Sequence, residues 1–252
     1  MIEAKNISKK FGDLKVLDNI SVCFEEGKTN LIIGQSGSGK TVFLKCLIGL
    51  YDPDEGEVLY DKIIFNQLSF SEKKTIRQKI GMMFQGSALF DSETVEDNVM
   101  YPLNMFTDKS SEEKLERVNF CLDRVNIINS NHLFPSEISG GMQKRVALAR
   151  AIVLNPDYLF CDEPNSGLDP KTSTVIDHLI QEITEEFKTT TIINTHDMNS
   201  VMEIGQKVVF IYQGTKTWEG GGKEILYSDN PELNEFVFAN AMAKQLRKFK
   251  LG

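Results

Sequence analysis

Along the first stretch, Ile2 to Glu25, apolar and polar residues alternate around the turns Phe11-Gly12-Asp13 and Glu26-Gly27. That period of two predicts antiparallel strands. Thr29 to Ile33 is a short apolar run that ends in a glycine-rich loop. From Lys40 to Leu50 the period changes, and Val42, Leu44, Leu47 and Ile48 recur at helical spacing. Tyr51 to Gly56 is a turn, and Glu57 to Phe65 reads as strand.

From Phe90 to about Leu154 the pattern is mostly helical, with an amphipathic, charged segment at Glu112 to Val125. Asp157 to Cys161 is again a short apolar strand. Pro170 to Phe187 is a helix with proline at its start. Thr189 to Asn194 is β-branched and strand-like, and a short helix, a strand at Lys207 to Gln213 and a turn at Gly214 follow. Strand and helix alternate, which predicts a parallel sheet covered by helices, with the helical stretch as an inserted subdomain.

Composition narrows the class. A chain of 252 residues fits one domain, or one domain with a subdomain, and is long enough to bury a sizeable core. Hydrophobic residues at 41% and charged residues at 25% are ordinary for a globular protein. The net charge of -8 argues against a general nucleic-acid binder, which needs a basic face. It leaves room for a nucleotide held by a local loop. No stretch approaches the roughly 18 to 20 apolar residues that span a bilayer, and Met1 to Gly12 lacks the apolar core of a signal peptide. Any membrane role is therefore expected to come through a partner. Cys23, Cys46, Cys121 and Cys161 form no Cys-x-x-Cys pair, so four buried free thiols are expected rather than a zinc site.

Three motifs carry chemistry. Gly34-Gln35-Ser36-Gly37-Ser38-Gly39-Lys40-Thr41 matches the phosphate loop G-x-x-x-x-G-K-[ST] in full, between an apolar strand and a helix. Its glycines turn backbone N–H groups toward phosphates. Lys40 is placed to reach the β- and γ-phosphates and the Thr41 hydroxyl to ligate magnesium, at the positive end of the helix. The second motif is a strand ending in Asp162-Glu163-Pro164. Neighbouring strand residues face opposite ways, so the two acids need not share a role: Asp162 would hold magnesium, and Glu163 would accept a proton from the attacking water. The third is Ser139-Gly140-Gly141, opening a helix read from Gln143 to Leu154. It supplies a second anion-seeking helix N-terminus.

In order and spacing, these motifs and the following Ser166-Gly167-Leu168-Asp169 resemble the nucleotide-binding subunit of ABC transporters, over nearly the whole chain. The resemblance implies an α/β fold: a P-loop NTPase core with a parallel sheet flanked by helices, an N-terminal antiparallel β subdomain and an inserted helical subdomain at about 90–154. It implies an ATP-binding domain at 1–229 and a C-terminal helical tail at 230–252. ATP and Mg2+ are the implied cofactors and ATP hydrolysis the implied activity, with Glu163, His196 and Gln85 catalytic. Phe11 matches the aromatic that stacks on adenine, and Val42 joins the loop residues that bind nucleotide. Ser139, Gly140 and Gly141 serve the nucleotide of a second copy, and Asp169 matches the acid that crosses that dimer. Gln85 matches the glutamine that touches magnesium, beside Thr41 and Asp162, and senses the membrane partner. His196, just after a strand, matches the switch histidine at the γ-phosphate. His132 and His178 are read as structural or surface groups. The chain departs from the common pattern at Met142 (often Gln), Phe11 (often Tyr) and Asn165 (often Thr or Ser), none of which touches the phosphate chemistry.

Gly81 to Asp91 and Val95 to Leu103 further resemble the ATPases of bacterial lipid-trafficking ABC systems that work with MCE proteins. That resemblance implies a phospholipid or related cargo. The implied partners are a second copy, an integral-membrane permease at the cytoplasmic face of the inner membrane, a small regulatory subunit and an MCE-domain protein, with no nucleic acid. The tail has two readings: a plain terminal helix with a basic end at Lys244, Arg247, Lys248 and Lys250, or a dock for the neighbouring copy or regulatory subunit. The rival class, a soluble ABC ATPase acting on nucleic acid, usually has two cassettes or a long coiled-coil insert, and this chain shows neither. A P-loop kinase or GTPase leaves the second anion site unexplained.

Overall fold

A computed structural model of the chain describes residues 1–238. The basic end of the tail, with Asn240-Ala241, lies outside the described residues. In chain order the elements are β1 (Ile2–Phe11), β2 (Leu14–Phe24), β3 (Thr29–Ile33), α1 (Lys40–Leu47), β4 (Glu55–Tyr60), β5 (Ile63–Ile64), α2 (Phe70–Arg77) and β6 (Ile80–Met83). Then follow α3 (Val95–Phe106), α4 (Ser111–Arg124), α5 (Gly140–Ile152), β7 (Tyr158–Asp162), α6 (Pro170–Phe187), β8 (Thr190–Asn194), α7 (Met198–Ile204), β9 (Lys207–Tyr212), β10 (Thr215–Gly220) and α8 (Pro231–Val237). They form two compact units: residues 1–25, 29–67 and the chain from 194 onward, and residues 26–28 with 68–193.

In the first unit, β1 lies inside an antiparallel sheet of order β2-β1-β4-β5. Ile2 stands opposite both Phe24 and Tyr60. The expected single strand Glu57 to Phe65 is instead the hairpin of β4 and β5. Asp61 and Lys62 both take positive φ (46° and 74°), the geometry of a tight two-residue turn. Separately, β3 runs parallel to β9, with Ile33 opposite Phe210, and β10 returns antiparallel along β9. All five β3 residues are buried, as in a strand covered on both faces. α1 stops at Leu47, short of the expected Leu50. Gly49 turns left-handed there, and the Leu50 N–H closes on the Lys45 carbonyl at 2.9 Å.

In the second unit, β8, β7 and β6 lie side by side. β6 runs parallel to β7, Ile80 opposite Tyr158 and Met83 opposite Cys161. α3, α4 and α5 occupy the stretch expected to be helical. α5 buries Val146, Ala147, Leu148, Ala149, Ala151 and Ile152, an almost all-round burial that marks a central helix. It starts at Gly140 rather than Gln143, because Ser139 caps it by accepting from the Met142 N–H at 3.3 Å. α6 keeps its expected bounds, opened by Asp169 and Pro170 and closed by left-handed Lys188. Arg124 of α4 pairs with Glu182 (3.1 Å) and Glu186 (2.6 Å) of α6, exposed contacts worth at most about 1 kcal/mol each.

Cys46, Cys121 and Cys161 are buried, while Cys23 is only half-buried, so three of the four thiols meet the expectation. Burial pushes Cys46 and Cys121 up to about 11, which keeps both protonated and unreactive. No helix among the described residues is long and apolar enough to cross a membrane.

β6 and α5 approach so closely that a Cβ on Gly81 would lie 2.3 Å from the Ala151 carbonyl. Gly81→Ala should therefore lower unfolding stability by about 1–3 kcal/mol, the usual cost of overpacking. Urea denaturation checks this, and an unchanged midpoint would contradict the contact.

Candidate active site

The phosphate loop leaves the end of β3. At Gly34 the backbone takes φ 152° and passes so near β9 that a Cβ would stand 2.2 Å from the Ile211 carbonyl. No side chain fits there. Gly39 is the N-cap of α1. Within the loop the nearly buried Lys40 donates from Nζ to the Gly34 carbonyl at 2.9 Å and the Gln35 carbonyl at 3.0 Å. The ammonium thus rests inside its own loop. The Ser38 hydroxyl is buried without a hydrogen-bond partner, an arrangement that costs free energy unless something polar arrives. Open backbone, a cation and an orphaned hydroxyl together fit a phosphate chain.

Other groups of the same unit stand beside the loop. Asn194, at the end of β8, donates from Nδ2 to the Thr41 hydroxyl at 3.3 Å. Thr195 N–H bonds the Ile32 carbonyl at 3.1 Å, which fixes the chain just before exposed His196. Asp197 then caps α7 by accepting from the Asn199 N–H. Phe11 is 44% exposed rather than core. Its ring meets Tyr51 edge-on at 5.5 Å with Lys9 Nζ 5.7 Å away, so a flat aromatic partner has an accessible ring.

The second unit holds the remaining residues. Glu163 follows β7 with φ 50°, a left-handed conformation that costs of order 1–3 kcal/mol and clusters at functional sites. Its carbonyl accepts from the Ser166 N–H at 3.1 Å, closing a turn that projects the acids. Asn165 donates to Asp177 at 2.8 Å in the interior. Asp169 accepts from the Thr172 hydroxyl (2.5 Å) and N–H (3.0 Å), and those bonds, the hydroxyl's first, hold its carboxyl below the usual range. Gly140 and Gly141 lie in the first turn of α5 with their backbone N–H groups at a helix start.

Gln85 is exposed, but its backbone is held: Lys144 of α5 donates from Nζ to the Gln85 carbonyl. Ser87 and Ala88 are both left-handed (φ 62° and 50°). Arg150 donates to both of their carbonyls at 2.8 Å. Lys144, Arg150 and Asn194 were not singled out from sequence. Lys144 lies in the Ser139 run and Asn194 two residues before His196, but each acts through a tertiary contact that no spacing encodes.

The profile of the ABC transporter family matches residues 17–166. The chain is 39% identical over 238 residues to the methionine import ATP-binding protein MetN of Clostridium tetani, covering 94% of this chain and 74% of that protein. It is 36% identical over 237 residues to the intermembrane phospholipid transport system ATP-binding protein MlaF of Haemophilus influenzae, covering 94% and 90%. A solved dimeric ATP-binding cassette in a post-hydrolysis state, bound to ADP and Pi, superposes with a TM-score of 0.79 at 35% identity, over 88% of this chain and 98% of that one.

Because Gly34 has no room for a Cβ, Gly34→Ala should displace the loop. Strain of about 1–3 kcal/mol corresponds to roughly tenfold or more in affinity for ATP. Titration with a fluorescent ATP analogue, on protein whose circular dichroism is unchanged, measures it. Parent-like affinity would remove the loop from the binding site.

Proposed function

The chain belongs to the ABC transporter family and is an ATPase, and from that premise we propose that two copies close on two ATP molecules to drive an integral-membrane permease that moves phospholipid or a related lipid between membranes. In this reading residues 1–229 are the ATP-binding domain, about 90–154 its helical insertion, and the complex sits at the cytoplasmic face of the inner membrane. The phosphate loop and Lys40 bind the phosphates of one nucleotide. Ser139, Gly140 and Gly141 receive the nucleotide of the other copy, and Asp169 crosses between copies. Phe11 stacks on adenine. His196 contacts the γ-phosphate, and Glu163 accepts the proton of the attacking water. Thr41, Asp162 and Gln85 would hold magnesium, which when bound neutralises charge on the transferring phosphate.

The observation that carries the permease reading is a cleft of about 440 Å3 in the second unit, beside Gln85. Phe84, Phe90, Tyr101 and Phe106 line it, each about two-fifths exposed, with Arg77 and Arg150 at its walls. An exposed aromatic cleft of this kind marks a protein interface. An amphipathic segment of a membrane partner suits it, with regulatory and MCE-domain subunits further out. The lipid cargo rests on the Gly81 to Asp91 and Val95 to Leu103 resemblance and on the phospholipid-transport relative. The methionine-import relative supports a second reading, an importer of another cargo.

Glu163→Gln should keep ATP affinity while cutting turnover by about 10² to 10⁴, the scale of losing a general base. Steady-state ATPase assays beside nucleotide titration separate the two quantities. Near-parental turnover would end the assignment of Glu163. For cargo, the chain purified from detergent-solubilised membranes should bring a multi-span protein and bound phospholipid, read by mass spectrometry. A solute-binding protein and amino-acid-stimulated turnover in their place would favour the importer.

A further inference from the structure

Lys144 is a cation in the interior of the second unit, only 5% exposed. It lies on the second turn of α5, the helix whose first turn carries Ser139-Gly140-Gly141. A buried ammonium is costly unless opposite charge or hydrogen bonds compensate it. Two groups do so here. The Gln85 carbonyl accepts its Nζ–H, and the Glu163 carboxylate attracts its charge.

Both partners belong to the residues read as serving hydrolysis. Gln85 sits on an exposed loop followed by Gly86 and the left-handed pair Ser87-Ala88. Glu163 sits at a left-handed residue just past the end of β7. Arg150, six residues further along α5, holds the Ser87 and Ala88 carbonyls. One rigid helix thus grips three backbone acceptors of the loop, at Gln85, Ser87 and Ala88.

We propose that Lys144 is a positioning residue for ATP hydrolysis: from α5 its Nζ fixes the backbone of Gln85, so that the glutamine meets the attacking water in a set geometry on the same unit as Glu163. This rests on the reading that Gln85 and Glu163 serve hydrolysis. In this reading Lys144 acts through the backbone of Gln85, so its loss acts on the chemical step and leaves binding in place.

The test is a kinetic series on the full chain. Lys144→Met keeps the side-chain volume and removes the cation. It should lower kcat on the order of tenfold to a hundredfold, since small misplacements of a catalytic group cost that much. KM and the Kd of a fluorescent ATP analogue should stay within about threefold, less than 1 kcal/mol. Lys144→Arg should recover kcat to within about threefold of the parent on the same scale. The proposal is overturned if Lys144→Met keeps the parental kcat, if Arg is no better than Met, or if affinity falls in step with kcat, which marks a structural role. Should Lys144→Met fail to fold, the contrast of Arg with Gln replaces it, and equal turnover in those two overturns the proposal. Glu163→Gln run alongside separates the two levels. An inactive Glu163→Gln with a fully active Lys144→Met removes only the lysine, whereas an active Glu163→Gln removes the reading beneath it.

Discussion

The close pass of Gly34 beneath strand β9 is the constraint on which the phosphate loop depends. With the Ile211 carbonyl 2.2 Å from where a Cβ would stand, position 34 tolerates only hydrogen. The parallel pairing of β3 with β9 sets that distance, since Ile33 is locked opposite Phe210. The chain therefore leaves β3 at a fixed point and in a fixed direction. The rest of the loop follows from it. The Ser38 hydroxyl is turned inward without a partner, while the Ser38 carbonyl accepts from the Gly214 N–H at 3.1 Å. Lys40 folds back on the carbonyls of Gly34 and Gln35. Those carbonyls bear only partial charges, so an incoming phosphate offers the ammonium a stronger acceptor without a rearrangement of the frame.

The second unit solves a different problem with one helix. α5 has few free faces: it packs against β6 at Gly81 and buries most of its length. Because close-packed interiors deform little, groups carried by α5 are well placed by default. Its exposed first turn presents N–H groups at Ser139 to Gly141, and its interior cations hold the loop from Gln85 to Ala88. Arg150 therefore serves the aromatic cleft as well as the loop, since its guanidinium also lies 5.9 Å from the Phe90 ring. A partner pressing into that cleft meets a side chain that shares a helix with Ser139 to Gly141.

Legibility in the sequence followed physical range. β3, α6 and the phosphate loop were readable because strong local signals coincide: a run of apolar residues, a proline at a helix start, glycines before Lys-Thr. α2 was passed over because it buries no residue and so carries no apolar stripe, although its Ser69 and Glu72 form a capping box. β6 and β10 were missed as well, β6 because four residues are too few for a period. Turns stopped two elements early, at Gly49 and at Asp61-Lys62, where backbone handedness outweighed side-chain pattern. Within the site, residue types were legible and their surroundings were not. The left-handed backbone of Glu163 and the ring exposure of Phe11 follow no local pattern, and the grip of Lys144 on Gln85 is a contact between distant segments.

The three departures from the common ABC pattern sharpen this point, because in the proposed reading each falls where the chemistry uses something other than the altered group. At position 142 the contact seen is the Met142 backbone N–H donating to Ser139, which any side chain leaves intact. At position 11 a phenylalanine lacks the tyrosine hydroxyl but keeps the ring, and stacking on a flat base draws on the ring face alone. Asn165 is different: its amide reaches the buried Asp177 carboxylate at 2.8 Å, farther than the shorter serine or threonine extends. That bond ties the loop after Glu163 to the interior of α6 and satisfies a carboxylate that burial would otherwise penalise. The residue at 165 thus has a structural role through Asp177. Substitutions that leave the phosphate chemistry alone can still set how firmly the loop carrying Glu163 is anchored.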